Sequence, residues 1–158
     1  MTPKDRDLFR DALTDSQAEA LTAWGEARNQ SVVGLAAVIA VIRNRARIKG
    51  TRSSYQALQK AAFSCWLDDQ TSTNDNALTK MALLLVEGKP MFDLTIDVCL
   101  WLASRPELRD PTDGATHYYA PKGVAHIPAW ATVDAARQLF PKRTVTIGDH
   151  IFYRNVRF

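Results

Sequence analysis

An α+β fold, a helical body with a small antiparallel sheet in the C-terminal third, is predicted by three features of the sequence. Apolar residues recur at helical intervals through the first two-thirds of the chain. After Pro111 the texture changes, and Gly, Pro and Asp punctuate short runs rich in Thr, Val, Tyr and Phe. Gly148-Asp149 then separates two strand-like runs, Thr144 to Ile147 and His150 to Tyr153, as a hairpin turn does.

The spacing predicts helices at about 3–13, 15–28, 32–48, 53–61, 75–87 and 94–104. Thr2 and Pro3 suit an N-cap and first helical position. Thr14 and Gln17 have capping-box spacing, followed by Ala20, Ala23, Trp24 and Ala27 on one face. Ser31 caps the next helix, whose run Leu35 to Ile42 is apolar on every side, as in a helix surrounded by others. Asn74 caps the helix carrying Leu78, Met81, Ala82 and Leu85, and Gly88 with Pro90 stops it. The helix around Val98, Trp101 and Leu102 ends before Pro106. Strands are predicted near 115–120, 143–147 and 150–155.

The length of 158 residues suits one domain, 1–158, able to bury about 70% of its unfolded surface without a disulfide. With 46% apolar and 23% charged residues, extended disorder is excluded. The charged N-terminus does not read as a signal peptide, so synthesis in the cytoplasm is expected. The apolar run before Arg43, Arg45 and Arg47 is too short to span a bilayer, and no stable membrane insertion is expected. A net charge of +3 suits an anionic partner, but the positive residues are spread along the chain rather than grouped, which leaves nucleic acid, a cell-wall polymer and a phosphate-rich outer leaflet open. Cys65 and Cys99 lie in different segments without CxxC spacing and read as buried thiols.

Glu26, in Trp24-Gly25-Glu26-Ala27-Arg28, is the foremost candidate for chemistry. It falls at a helix junction beside apolar residues, where desolvation raises a carboxyl pKa toward the working pH and equips it as a general acid. A surface glutamate, or a partner for an arginine, is the other reading. Gly25 inside a helix costs about 1 kcal/mol against alanine, so a sugar chain or a crossing helix is expected to approach there. Asp110 to Pro121 is the second candidate, with Thr116 and Tyr118 on one face of a strand and His117 and Tyr119 on the other. Rings flanked by hydroxyls suit a sugar, although half-buried structural tyrosines have the same pattern. His117, His126 and His150 lack metal-ligand spacing, so neither a metal nor another cofactor is expected. Ser64 has no nucleophile elbow. Glycoside cleavage ordinarily takes a second carboxylate; Asp68, Asp69, Asp110 and Asp113 are available, and none stands out.

Five stretches in order, Trp24 to Arg28, an aliphatic helix ending Ile42-Arg43-Asn44-Arg45, Phe63-Ser64-Cys65-Trp66, Gly114 to Pro121 and Ile147 to Tyr153, resemble the SleB-like cell-wall hydrolases, a family of spore-cortex-lytic enzymes and phage endolysins. The resemblance covers about Leu21 to Arg154. It implies a lysozyme-like fold acting on peptidoglycan at the bond between N-acetylmuramic acid (MurNAc) and N-acetylglucosamine (GlcNAc). By the same matching Glu26 is the acid/base, and Phe63, Ser64, Thr116, His117, Tyr118 and Tyr119 face the glycan. Asn29 and Asp113 stand where the family commonly has glycine.

The expectation is therefore a monomeric endolysin of muramidase or lytic-transglycosylase type, made in the host cytoplasm and acting on the cell wall, in the periplasm of a Gram-negative host. A transglycosylase needs one protein acid/base, because the substrate's muramic 6-hydroxyl attacks. The alternatives are a metal-dependent peptidoglycan amidase or peptidase, and a non-catalytic basic module binding cell wall or nucleic acid.

Overall fold

The computed structural model describes residues 11–66 and 73–158, with backbone alone at 73–76. Thr14 opens helix α1, Asp15–Ala27, through a reciprocal cap: its hydroxyl accepts from Gln17 N at 3.2 Å, and Gln17 Oε1 accepts from Thr14 N at 3.0 Å. Ala18, Ala20, Leu21, Ala23, Trp24 and Ala27 of α1 are buried. Ser31 caps α2, Val32–Lys49, accepting from Gly34 N at 3.3 Å. Every residue from Gly34 to Ile42 is buried, as expected of a helix that neighbours enclose.

The helix expected at 53–61 stops early. Helix α3 is only Ser53–Ala57, after which Gln59 N bonds Gln56 O and Ala62 N bonds Gln59 O in tighter turns. The physical reason is packing: the chain turns inward so that Phe63 and Trp66 reach the core, and a 3₁₀ turn, Ser64–Trp66, follows. Trp66 Nε1 donates to Thr22 Oγ1 at 2.9 Å, which ties this turn to the middle of α1. Helix α4, Thr73–Val86, lies beyond the segment holding Asp68 and Asp69, which is outside the described residues together with most of the helix expected at 3–13. Asp93 caps α5, Leu94–Ala103; its Oδ1 accepts from Ile96 N at 2.9 Å and Trp24 Nε1 at 3.3 Å.

Strand β1, His117–Tyr119, is shorter than expected at both ends. Ala115 and Thr116 before it are buried against the helices, and only Thr116 N continues the pairing, donating to Tyr153 O at 2.9 Å. Strands β2, Lys142–Ile147, and β3, His150–Arg154, form the expected hairpin, with Gly148 at φ 57° in the left-handed region. The sheet order is β1-β3-β2, all antiparallel, with Tyr118 opposite Phe152 and His117 opposite Tyr153. Phe152 is buried and pins the sheet to the helical core. The expected α+β class, mainly helical with a small late antiparallel sheet, is what the structure shows. No described helix is long and apolar enough to cross a membrane.

Candidate active site

Three pieces of chain meet at Glu26, in the last turn of α1. The Cys65 backbone N–H donates to Oε1 at 2.8 Å, and the Ser64 hydroxyl lies 3.4 Å from the same oxygen. The Tyr118 hydroxyl donates to Oε2 at 2.9 Å. Glu26 is half-buried and Ser64 exposed, so the acid is held from the protein side and open toward solvent. Arg28 turns away and lies over the Trp24 ring, 4.6 Å from its centroid.

Gly25 explains how the 3₁₀ turn comes so near. A Cβ on Gly25 would sit 2.7 Å from Cys65 Cβ and 3.3 Å from Leu78 Cδ2. The close approach expected at this glycine is thus made by the turn and α4. The missing side chain brings the Cys65 N–H onto Glu26.

Tyr118 supplies the third donor from the sheet. Burial, and secondarily the Glu26 charge, holds its phenol well above the usual range, so it stays protonated and donates. Its ring packs on Phe152 at 5.3 Å and edge-on to His150 at 5.0 Å. His150 is buried, which lowers its pKa against the opposing pull of Glu26 and Asp149. Burial raises the Cys99 thiol to about 12, and Cys99 therefore stays a neutral core residue.

The other sequence candidates divide by strand face. His117 and Tyr119 point away from Tyr118, toward Trp130: ring centroids are 5.0 Å apart for His117–Trp130 and 5.9 Å for Tyr119–Trp130, and Tyr119 stacks on Tyr153. Phe63 is buried beneath Tyr118, with ring centroids 6.5 Å apart, and Thr116 is buried with its hydroxyl 3.0 Å from His117 Nδ1. Phe63, Thr116, His117 and Tyr118 nevertheless line one cavity of about 270 Å³ with Arg45, Trp130 and Phe158. Ser64 is at Glu26, and Tyr119 is at neither place.

Of the four candidate loop acids, Asp110 and Asp113 are among the described residues, and both are engaged. Asp110 accepts from Thr112 N and Oγ1, Gly114 N and Asn44 Nδ2 at 2.6 to 2.9 Å; burial opposes and these bonds outweigh it, leaving its pKa below the usual range. Its work is to fold the loop before β1. Asp113 is exposed, pairs with Arg154 at 3.0 Å, and has φ 54°, the left-handed conformation that suits glycine and that Asp tolerates. Among the described residues no three His, Cys, Asp or Glu side chains are grouped as a metal-ligand set.

Sequence reasoning missed the Cys65 N–H, because a backbone donor leaves no mark in residue identities. It also missed Trp130 and the burial of Arg45. For Arg45 a signal existed: it follows Val38, Val41 and Ile42 at helical spacing on the apolar face.

The family model described as Cell Wall Hydrolase matches residues 29–153. This chain belongs to the cell wall hydrolase family. The match spans the 3₁₀ turn, Tyr118 and the hairpin, and begins just after Glu26. Among solved structures, this cell wall hydrolase is similar to the catalytic domain of the Bacillus cereus SleB protein, with 23% identity, 89% of each chain covered and a TM-score of 0.46. No curated protein matches it.

Proposed function

We propose that this cell wall hydrolase has a lysozyme-like catalytic domain and cleaves the MurNAc-β-1,4-GlcNAc bond of peptidoglycan, with Glu26 as general acid/base. The observation that carries the proposal is the fixing of one half-buried carboxylate by donors from two separate elements, Cys65 and Tyr118. Oε1 is engaged by the 3₁₀ turn, whereas Oε2 meets Tyr118 alone among the described residues, which leaves it a lone pair for the substrate. Protonated Glu26 gives its proton to the glycosidic oxygen as the bond to the muramic C1 breaks. Water or the muramic 6-hydroxyl then attacks C1 and returns a proton to the Glu26 carboxylate.

The support for a single protein acid/base is that Asp110 and Asp113, the two candidate loop acids among the described residues, are engaged elsewhere. Glu26→Gln keeps the shape and removes the acid. Activity on purified sacculi should fall at least about 100-fold, as typical for loss of a general acid, with the fold retained; normal lysis by the variant would overturn the assignment. Mass spectrometry of the digest separates the two completions, because 1,6-anhydro-muramic ends are one water lighter than hydrolysed ends.

The endolysin role is part of the same proposal and rests on the phage-endolysin resemblance. Lysis from inside a host only when a membrane pore-former is co-expressed is the expected result, and lysis without one would overturn it.

A further inference from the structure

Arg45 and Arg43 lie on the same helix and are satisfied in opposite ways. Arg43 bonds the Glu19 carboxylate at 2.8 Å and the carbonyls of Ala103 and Arg105. Arg45 is 8% exposed, and no ion pair of the described residues includes it. Its Nη1 donates to Thr116 O at 3.1 Å and lies 3.2 Å from His117 Nε2, while its Nε is buried without an acceptor. The Phe158 ring covers the guanidinium at 4.3 Å, and the Phe63 ring lies 6.0 Å away.

His117 offers no counter-charge. A buried cation whose partners among the described residues are rings and neutral dipoles is unfavourable until an anion joins it. The guanidinium edge matches a carboxylate in shape and charge. Arg45 lines the cavity of about 270 Å³ that also contains Tyr118, whose hydroxyl is on Glu26. The unneutralised charge is therefore one side chain away from the acid.

We propose that Arg45 forms an anion subsite that takes a carboxylate from the muramyl side of the glycan. The subsite deepens the proposed function and rests on its choice of substrate. Two carboxylates have the required chemistry: the lactyl group of a peptide-free muramic residue, and a free carboxylate of the stem peptide. GlcNAc units carry neither, so the subsite distinguishes the two sugars of the alternating chain by charge.

The test is binding, which does not depend on turnover. GlcNAc-β-1,4-MurNAc lacks the MurNAc-GlcNAc bond and carries the lactyl carboxylate; its methyl ester and chitobiose do not carry it. GlcNAc-MurNAc-L-Ala-D-Glu masks the lactyl group and presents peptide carboxylates. Calorimetric titration of the full chain should show at least one of the two acids binding about 10-fold or more tighter than chitobiose, as loss of a charged hydrogen bond implies. Whichever acid shows the preference identifies the source. Arg45→Met should abolish the preference and Arg45→Lys should keep part of it; a strut for Thr116 alone would change stability and leave ligand choice untouched. If Arg45→Met does not fold, the Lys variant and the ester comparison on the unmodified chain decide. Equal binding of acids and neutral sugars, or an Arg45→Met protein that keeps the preference, would overturn the subsite. An active Glu26→Gln protein overturns the cleavage chemistry and leaves this measurement standing.

Discussion

Tyr118 and Glu26, 92 positions apart, are joined by a 2.9 Å hydrogen bond from the phenol to Oε2. The bond links the sheet to the end of α1, so the geometry of the acid depends on how two separately formed parts of the chain dock. Because burial keeps the phenol protonated, Tyr118 acts as a donor throughout the neutral range.

Removing that donor separates positioning from folding. Tyr118→Phe keeps the ring against Phe152 and His150 and deletes only the hydroxyl. Its expected effect is a loss of about 10-fold in kcat on soluble glycan strands, the scale of one hydrogen bond to a charged group, with little change in Tm. Unchanged kcat would show that the bond does not orient the acid.

Gly25→Ala sets two effects against each other. The substitution gains about 1 kcal/mol of helix propensity, but its Cβ would meet Cys65 Cβ at 2.7 Å. Overpacking of that kind costs about 1–3 kcal/mol, so net destabilisation and a drop in activity are expected together. Adding Cys65→Gly removes the opposing Cβ and should restore part of the stability. Denaturant titration of the single and double variants gives the coupling; an additive pair would mean that the turn does not press on the helix.

His117 makes stability sensitive to acid. Burial first, and the Arg45 charge second, lower its pKa from 6.5 to about 4. Between those values the unfolded chain takes up a proton that the folded chain refuses, so stability falls as pH decreases. The contribution is complete above about pH 6.5 and is lost progressively toward pH 4. The Tm of His117→Gln should therefore drop less between pH 7 and pH 4.5 than that of the unmodified chain. Equal drops would place the acid sensitivity elsewhere.

Much of the fold was legible because local chemistry sets it. The capping box at Thr14, the Ser31 cap, the enclosed helix around Leu35 to Ile42 and the Gly148 turn all depend on neighbours within a few residues. The predicted helix at 53–61 failed for the opposite reason. Its apolar spacing continues, but the core needs Phe63 and Trp66, and tertiary packing overrides local preference.

The candidate site divides along the same line. Glu26 was marked by the sequence itself, as an acid set among apolar residues beside a glycine that a helix ordinarily avoids. Its donors, the placement of Tyr118 and His117 on opposite faces of β1, and the burial of Arg45 were decided only by tertiary structure. Residue identity and spacing fix which groups are available and which way a local element turns. Hydrogen bonds across 39 and 92 positions, and the burial of a charge, exist only after the helices and sheet have packed.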